Sequence, residues 1–286
     1  MSVQETIVSW LFATQAIRVS PADQPFWYTS GTLGPYYINT HFLYGGEQPA
    51  NELLTLIEAS TADPLAMPAR LAAAIGQQYR TNALYRDLCD LIASWLSAGS
   101  FDFISGGERR DFFFSIQAAA LLNKPHLSLL KNGTAIWTDA GFRHPRLVEA
   151  DALKGQRAAH VADLVTEASS YQRAWLPAIH RCGATMPLTL AVVDRDQGGR
   201  EWLASVGTDL LALTRIDLAL FEQALAAGLI NRSQYDQISR FIDNPLDYMR
   251  HFLAEHPDFI NQQIALGGKS RERALLCQEK GYANPG

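Results

Sequence analysis

Between residues 101 and 216, short apolar runs alternate with helical stretches, and this alternation narrows the possible folds more than any other feature of the chain. The runs fall at 101–105, 126–130, 157–162, 188–193 and 209–216. Helical patterns separate most of them, up to Leu122, over 169–182 and over 201–206, while 131–155 is irregular. Strands of this length, alternating with helices, mark βαβ units and a mostly parallel sheet. The expected class is α/β, a mostly parallel sheet flanked by helices, with an α-helical C-terminal extension.

The flanking segments read differently. Val3, Ile7, Val8, Leu11 and Phe12 share one helical face, predicting an amphipathic N-terminal helix. An aromatic-rich extended segment follows over 26–43, interrupted by Gly31 and Gly34-Pro35, and then Ala/Leu-rich helical sequence over 50–98. From Asp217 the chain reads as helices punctuated by Gly228, Pro245, Pro257 and Gly267-Gly268. The expected division is a domain over 1–216, with 1–45 as N-terminal helix and aromatic hood and 46–98 as a helical segment. Residues 217–286 form the extension.

Composition excludes several classes. With 48% hydrophobic and 19% charged residues the chain is not a disordered one. A net charge of −5, without Lys/Arg clusters interleaved by aromatics, argues against a nucleic-acid surface. The first residues lack the basic start of a signal peptide, and no apolar run reaches membrane-span length. Cys89, Cys182 and Cys277 are scattered, and no histidines stand at ligand spacing, so neither a disulfide framework nor a protein-held metal site is expected. A soluble cytoplasmic protein is the expectation.

Ligands of open parallel sheets gather beyond the carboxyl ends of the strands, so the loops there were read first. After the first run stands Ser105-Gly106-Gly107-Glu108-Arg109-Arg110-Asp111, entering a helix. Two glycines permit a tight turn with bare N–H groups, and two arginines at a helix start suit a phosphate, diphosphate or carboxylate. The blander alternative is a tight turn followed by a solvated charge run. After the third run, Asp163 precedes Leu164-Val165-Thr166-Glu167-Ala168-Ser169-Ser170, a small-residue loop suited to cradling a phosphate or to capping the next helix through Ser169 or Ser170. After the fourth, Asp194-Arg195-Asp196 places an arginine where it can grip a carboxylate, or forms a surface turn with internal ion pairs.

These loops, taken in order with Ser30-Gly31 and Pro35-Tyr36-Tyr37-Ile38-Asn39 before them and Gly198-Gly199-Arg200-Glu201 after them, carry a resemblance. Over residues 3–215 the chain resembles orotate phosphoribosyltransferase, a type I phosphoribosyltransferase. The resemblance implies transfer of ribose 5-phosphate from phosphoribosyl diphosphate to a small base in pyrimidine nucleotide metabolism, with Mg2+ carried by the diphosphate and a homodimer as the assembly. It implies that Asp163 holds the ribose, that Thr166, Glu167, Ala168, Ser169 and Ser170 surround the 5-phosphate, and that Gly106, Gly107, Glu108, Arg109 and Arg110 meet the diphosphate. Tyr37 and Arg195 would hold the base, and Lys131 would stand at the start of the mobile catalytic loop.

The chain also departs from that pattern. The first of two adjacent acids is Ala162, the second threonine of the phosphate loop is Glu167, and its glycines are Ala168 and Ser169. Thr29 replaces a lysine, and 131–155 lacks a Lys-x-His-Gly run, with Arg143-His144-Pro145-Arg146 its remaining basic cluster. Glu167 beside a phosphate dianion would cost on the order of several kcal/mol unless it turns away. Weak or absent turnover is therefore expected. A non-catalytic relative that binds a nucleotide or phosphoribosyl ligand as a sensor stands as the alternative.

Overall fold

The computed structural model describes residues 2–21 and 23–282. In chain order its elements begin with α1 (Val3–Ala13), β1 (Ile17–Val19), β2 (Phe26–Trp27), β3 (Leu33–Gly34) and β4 (Tyr36–Ile38). A 3-10 turn (Thr40–Tyr44) leads into α2 (Glu47–Ser60), α3 (Met67–Thr81) and α4 (Ala83–Leu96). The alternating region supplies β5 (Phe103–Gly107), α5 (Phe112–Leu121), β6 (His126–Leu129), β7 (Ala135–Thr138), β8 (Arg146–Leu147) and β9 (Arg157–Val165). A π-helical turn (Tyr171–Trp175) runs into α6 (Leu176–Arg181), followed by β10 (Thr185–Asp194), α7 (Gly199–Ser205) and β11 (Asp209–Arg215). Five helices complete the chain: α8 (Leu218–Ala226), α9 (Arg232–Asp243), α10 (Pro245–Glu255), α11 (Phe259–Leu266) and α12 (Gly268–Glu279).

The chain forms two compact units, Met1–Ala16 with Thr40–Ile216, and Ile17–Asn39 with Asp217–Gly286. In the first, seven strands make one sheet in the order β11-β10-β9-β5-β6-β7-β8. The five apolar runs of the sequence supply its five parallel strands, β5, β6, β9, β10 and β11. β9 and β10 are almost wholly buried, on both faces, so they read as continuous apolar runs rather than alternating ones. Both outlast the runs seen in the sequence, β9 to Val165 and β10 to Asp194. α5 buries Phe112, Phe113, Phe114, Ile116, Ala118 and Ala119, so it is apolar around its circumference and lies inside the unit.

The irregular stretch after Lys131 is more ordered than its composition suggests. β7 pairs antiparallel with β6, and the two residues of β8 pair with β7 at the sheet edge. Within it Arg143 pairs with Asp139 at 3.6 Å, and the Arg146 guanidinium lies 5.8 Å from the Trp137 ring. The basic cluster is thus engaged locally, on the outer side of the fold.

The second unit gathers the aromatic segment and the C-terminal helices around Trp27, Leu33, Met249, Phe252, Ile260, Ala274 and Cys277. Trp27 Nε1 donates to Gln263 Oε1 at 3.0 Å, Arg273 donates to the Trp27 carbonyl at 2.7 Å, and Lys280 donates to the Ser30 carbonyl at 3.0 Å. Gly31 has a φ of +81°, and a Cβ there would press on Leu276. The sequence reading placed 17–39 with the sheet domain; in the structure these residues share their core with the extension. Among the described residues no helix is long and apolar enough to cross a membrane.

Candidate functional site

β5, β6 and β9 lie side by side and parallel, so the loops that follow them open on the same end of the sheet. At that end a cavity of about 260 Å3 is lined by Glu108, Arg109, Arg110 and Asp111 after β5, by Lys131 after β6, by Ala162, Asp163 and Leu164 of β9, and by Ser170, Tyr171 and Trp175 beyond it. Three loops far apart in sequence thus deliver three bases and three acids to one concave surface.

The Gly-Gly turn works differently from its sequence reading. The Gly107 N–H donates to Asp111 Oδ2 at 3.1 Å, and the Glu108 N–H donates to the Leu129 carbonyl at 2.8 Å. Those amides are taken within the fold and are not bare. The glycines answer to packing instead: a Cβ on Gly106 would fall on the Ser115 hydroxyl, and one on Gly107 on the Trp175 ring. Arg109 forms an ion pair with Glu58 of α2, whereas Arg110 is exposed and makes no ion pair among the described residues. Glu108 Oε2 accepts from the Lys131 N–H at 3.0 Å, which ties the loop after β6 to the loop after β5.

The loop after β9 has the complementary character. Val165 and Thr166 accept at their carbonyls from the Arg195 and Gly199 amides, at 2.9 and 3.0 Å. The amides of Thr166, Glu167 and Ala168 donate to no group among the described residues. Ala168 adopts a φ of +55°, the left-handed conformation that turns successive N–H groups toward one side. Ser170 precedes the π-helical turn without a side-chain capping bond, so its hydroxyl is not committed to the helix start. Glu167 is exposed, pairs with neither Arg109 nor Arg110, and is not part of the cavity lining, while Ser169 is half-buried beside it.

Asp163 is 8% exposed, and its Oδ2 has no hydrogen-bond partner among the described residues. Its N–H donates to Asp111 Oδ1 at 3.1 Å. Burial, then the facing Asp111 carboxylate, push the Asp163 carboxyl up to about 8, with Arg110 pulling the other way. Asp111 is held from three sides, by the Gly107 and Asp163 amides and by His160 Nε2 at 3.3 Å, and Ser105 Oγ lies 2.9 Å from His160 Nδ1. In one ring tautomer Nε2–H donates to Asp111 while Nδ1 accepts from the Ser105 hydroxyl. Asp111 and His160 were not singled out from sequence. The available signals were a histidine inside an otherwise apolar strand and an acid at the first turn of an apolar helix.

His41, in the 3-10 turn, is buried and carries an unpartnered Nδ1. Burial first, then Arg110 and Arg109, push its ring down to about 3. At the end of β10, Asp194 is fully buried and bound to Arg200 at 2.9 Å and to the Asp196 N–H at 2.9 Å. The ion pair at that turn is therefore Asp194–Arg200, and the half-buried Arg195 side chain makes none among the described residues. Tyr37, on β4 of the second unit, packs edge-on to Phe26 and Tyr28 at centroid distances of 6.0 and 5.9 Å. No cluster of three metal-ligating side chains occurs among the described residues.

No family model matches the sequence, and no curated protein matches it. Solved structures do. The UMP synthase of Leishmania donovani superposes with a TM-score of 0.57 at 16% identity, over 85% of this chain and 42% of that one. The present chain thus spans less than half the length of that relative. The orotate phosphoribosyltransferase of Francisella tularensis superposes with a TM-score of 0.53 at 12% identity, over 82% of this chain and 96% of that one. At such identities the likeness establishes the fold, which is that of the type I phosphoribosyltransferases and is similar to orotate phosphoribosyltransferase in particular.

Proposed function

We propose that the chain is an orotate-type phosphoribosyltransferase, binding phosphoribosyl diphosphate at the ends of β5, β6 and β9 and transferring its ribose 5-phosphate to a small base. The observation that carries this reading is the convergence of Arg110, Lys131 and Asp163 on one cavity. Arg110 and Lys131 oppose the charge of the diphosphate as it departs. Asp163 takes a ribose hydroxyl at its unpartnered oxygen. The amides of Thr166, Glu167 and Ala168, with the Ser169 and Ser170 hydroxyls, receive the 5-phosphate. Arg195 meets a carboxylated ring. A magnesium ion carried by the diphosphate belongs to the same reading and would screen the diphosphate charge. A homodimer belongs to the same reading.

A second reading, a binder without turnover, is favoured by the Arg109–Glu58 ion pair, which occupies an arginine that a donor diphosphate would use. Calorimetry with phosphoribosyl diphosphate and an assay for orotidine 5′-phosphate separate the two. Product formation lost in Asp163→Ala supports the transferase, saturable binding without product selects the second reading, and no binding at all sinks both. On the base side, Arg195→Ala should lose about tenfold more affinity for orotate than for its uncharged analogue, since only the carboxylate needs the guanidinium. Equal losses would make Arg195 structural.

A further inference from the structure

The cavity holds an acid pair drawn from two separate elements, Asp111 from the start of α5 and Asp163 from β9. Asp111 receives hydrogen bonds from two amides and faces His160 Nε2. These partners satisfy the Asp111 carboxylate within the fold and hold it in place beside Asp163. Asp163 has the opposite surroundings: it is 8% exposed, its Oδ2 is unpartnered, and the carboxylate of Asp111 stands against it. A second carboxylate beside a buried, unpartnered carboxyl favours the protonated form of the latter.

We propose that Asp111 is a positioning residue that keeps Asp163 as the proton-bearing member of the pair, and that the cavity takes a phosphate-type anion together with that proton. The groups facing Asp163 decide the sign. From the loop after β5 come Glu108, Arg109, Arg110 and Asp111; from the loop after β6, Lys131; from β9 itself, His160; from the π-helical turn, Tyr171. With Asp163 ionised, three acids face three bases and the lining is neutral. With the proton in place the lining is net positive, and the Asp163 carboxyl repels no incoming anion. The upward shift of Asp163, to about 8, puts the change inside an accessible range.

This inference rests on reading the cavity as an anion site, and the test separates the two. The full chain is titrated with sodium sulfate, whose charge is constant over the range, at about pH 7 and about pH 9. Wild-type affinity should fall by about tenfold, Asp163→Asn should bind equally at both, and Asp111→Asn should move the fall to lower pH. A merely structural role for Asp111 would leave that midpoint in place. Wild-type affinity that does not change with pH, or a fall retained by Asp163→Asn, overturns the proton linkage while leaving the anion site standing. No binding of sulfate or diphosphate by wild type at either pH removes the anion site, and the proposal with it. Asp163→Asn keeps the test decisive should Asp111→Asn fail to fold.

Discussion

The loops after β5 and β9 leave the same end of the sheet and are built in opposite ways. After β5 the amides at the glycine turn are used internally, by Asp111 and by the Leu129 carbonyl, so the loop presents its arginine side chains. After β9 the side chains are small or turned outward, and the loop presents amides that no protein group has taken. The first is a rigid, packed corner in which glycine is a steric necessity. The second is a lightly held turn whose value lies in its backbone. An arginine corner can be moved only at a cost in stability, whereas the backbone turn tolerates side-chain drift. That contrast fits a loop whose side chains depart from the expected pattern while its amides stay untaken.

The contrast breaks most visibly at Asp111. Asp111→Ala strands the Gly107 and Asp163 amides and His160 in a buried place, and should lower the free energy of unfolding by about 3 kcal/mol or more, read by denaturant melts. A loss similar to that of an exposed substitution such as Ser170→Ala would show that the corner is not held by Asp111. Next comes Gly107→Ala, whose methyl group would press into the Trp175 ring and should cost about 1–3 kcal/mol. In the other loop Ala168→Gly should be neutral or stabilising by up to about 1 kcal/mol, because its φ is already left-handed. If the two substitutions cost the same, the two loops do not differ in rigidity.

Ligand measurements sharpen the comparison further. Arg110→Ala should weaken diphosphate binding by about tenfold, while Glu167→Thr should change it by less than about twofold at any salt concentration, Glu167 being exposed and outside the cavity lining. A gain on Glu167→Thr that shrinks as salt rises would restore the repulsion expected from sequence. The smallest effect is on stability against pH. Asp163 has a folded value near 8, raised above its unfolded value, so its contribution is full in acid and is lost as pH rises toward 8. Asp163→Asn should therefore flatten part of the decline in melting temperature between about pH 5 and about pH 8. An unchanged slope would show that Asp163 is not the group that titrates there.

Much of the first unit was legible because its signals are local. A strand buried on both faces writes itself as an apolar run, which is why all five parallel strands were found. The C-terminal helices end or begin at the glycines and prolines that mark them: Gly228 follows α8, Pro245 opens α10, and Gly267 separates α11 from α12. β7 and β8 were not legible. They are short antiparallel strands at one side of the sheet, and the two residues of β8, the edge strand, are exposed, so no apolar pattern marks that strand.

The alternation of runs and helices by itself determined the sheet and its parallel sense, since each depends on residues close together in the chain. The tertiary structure decided what those residues do. Asp111 meets His160 and Asp163 across separations of 49 and 52 residues, and that meeting, not the type of any one residue, sets the surroundings of Asp163. The same holds for Trp27 and Gln263, 236 residues apart, whose bond helps place the aromatic segment with the C-terminal helices. Periodicity records which face of an element is buried; it carries no record of the partner buried against it.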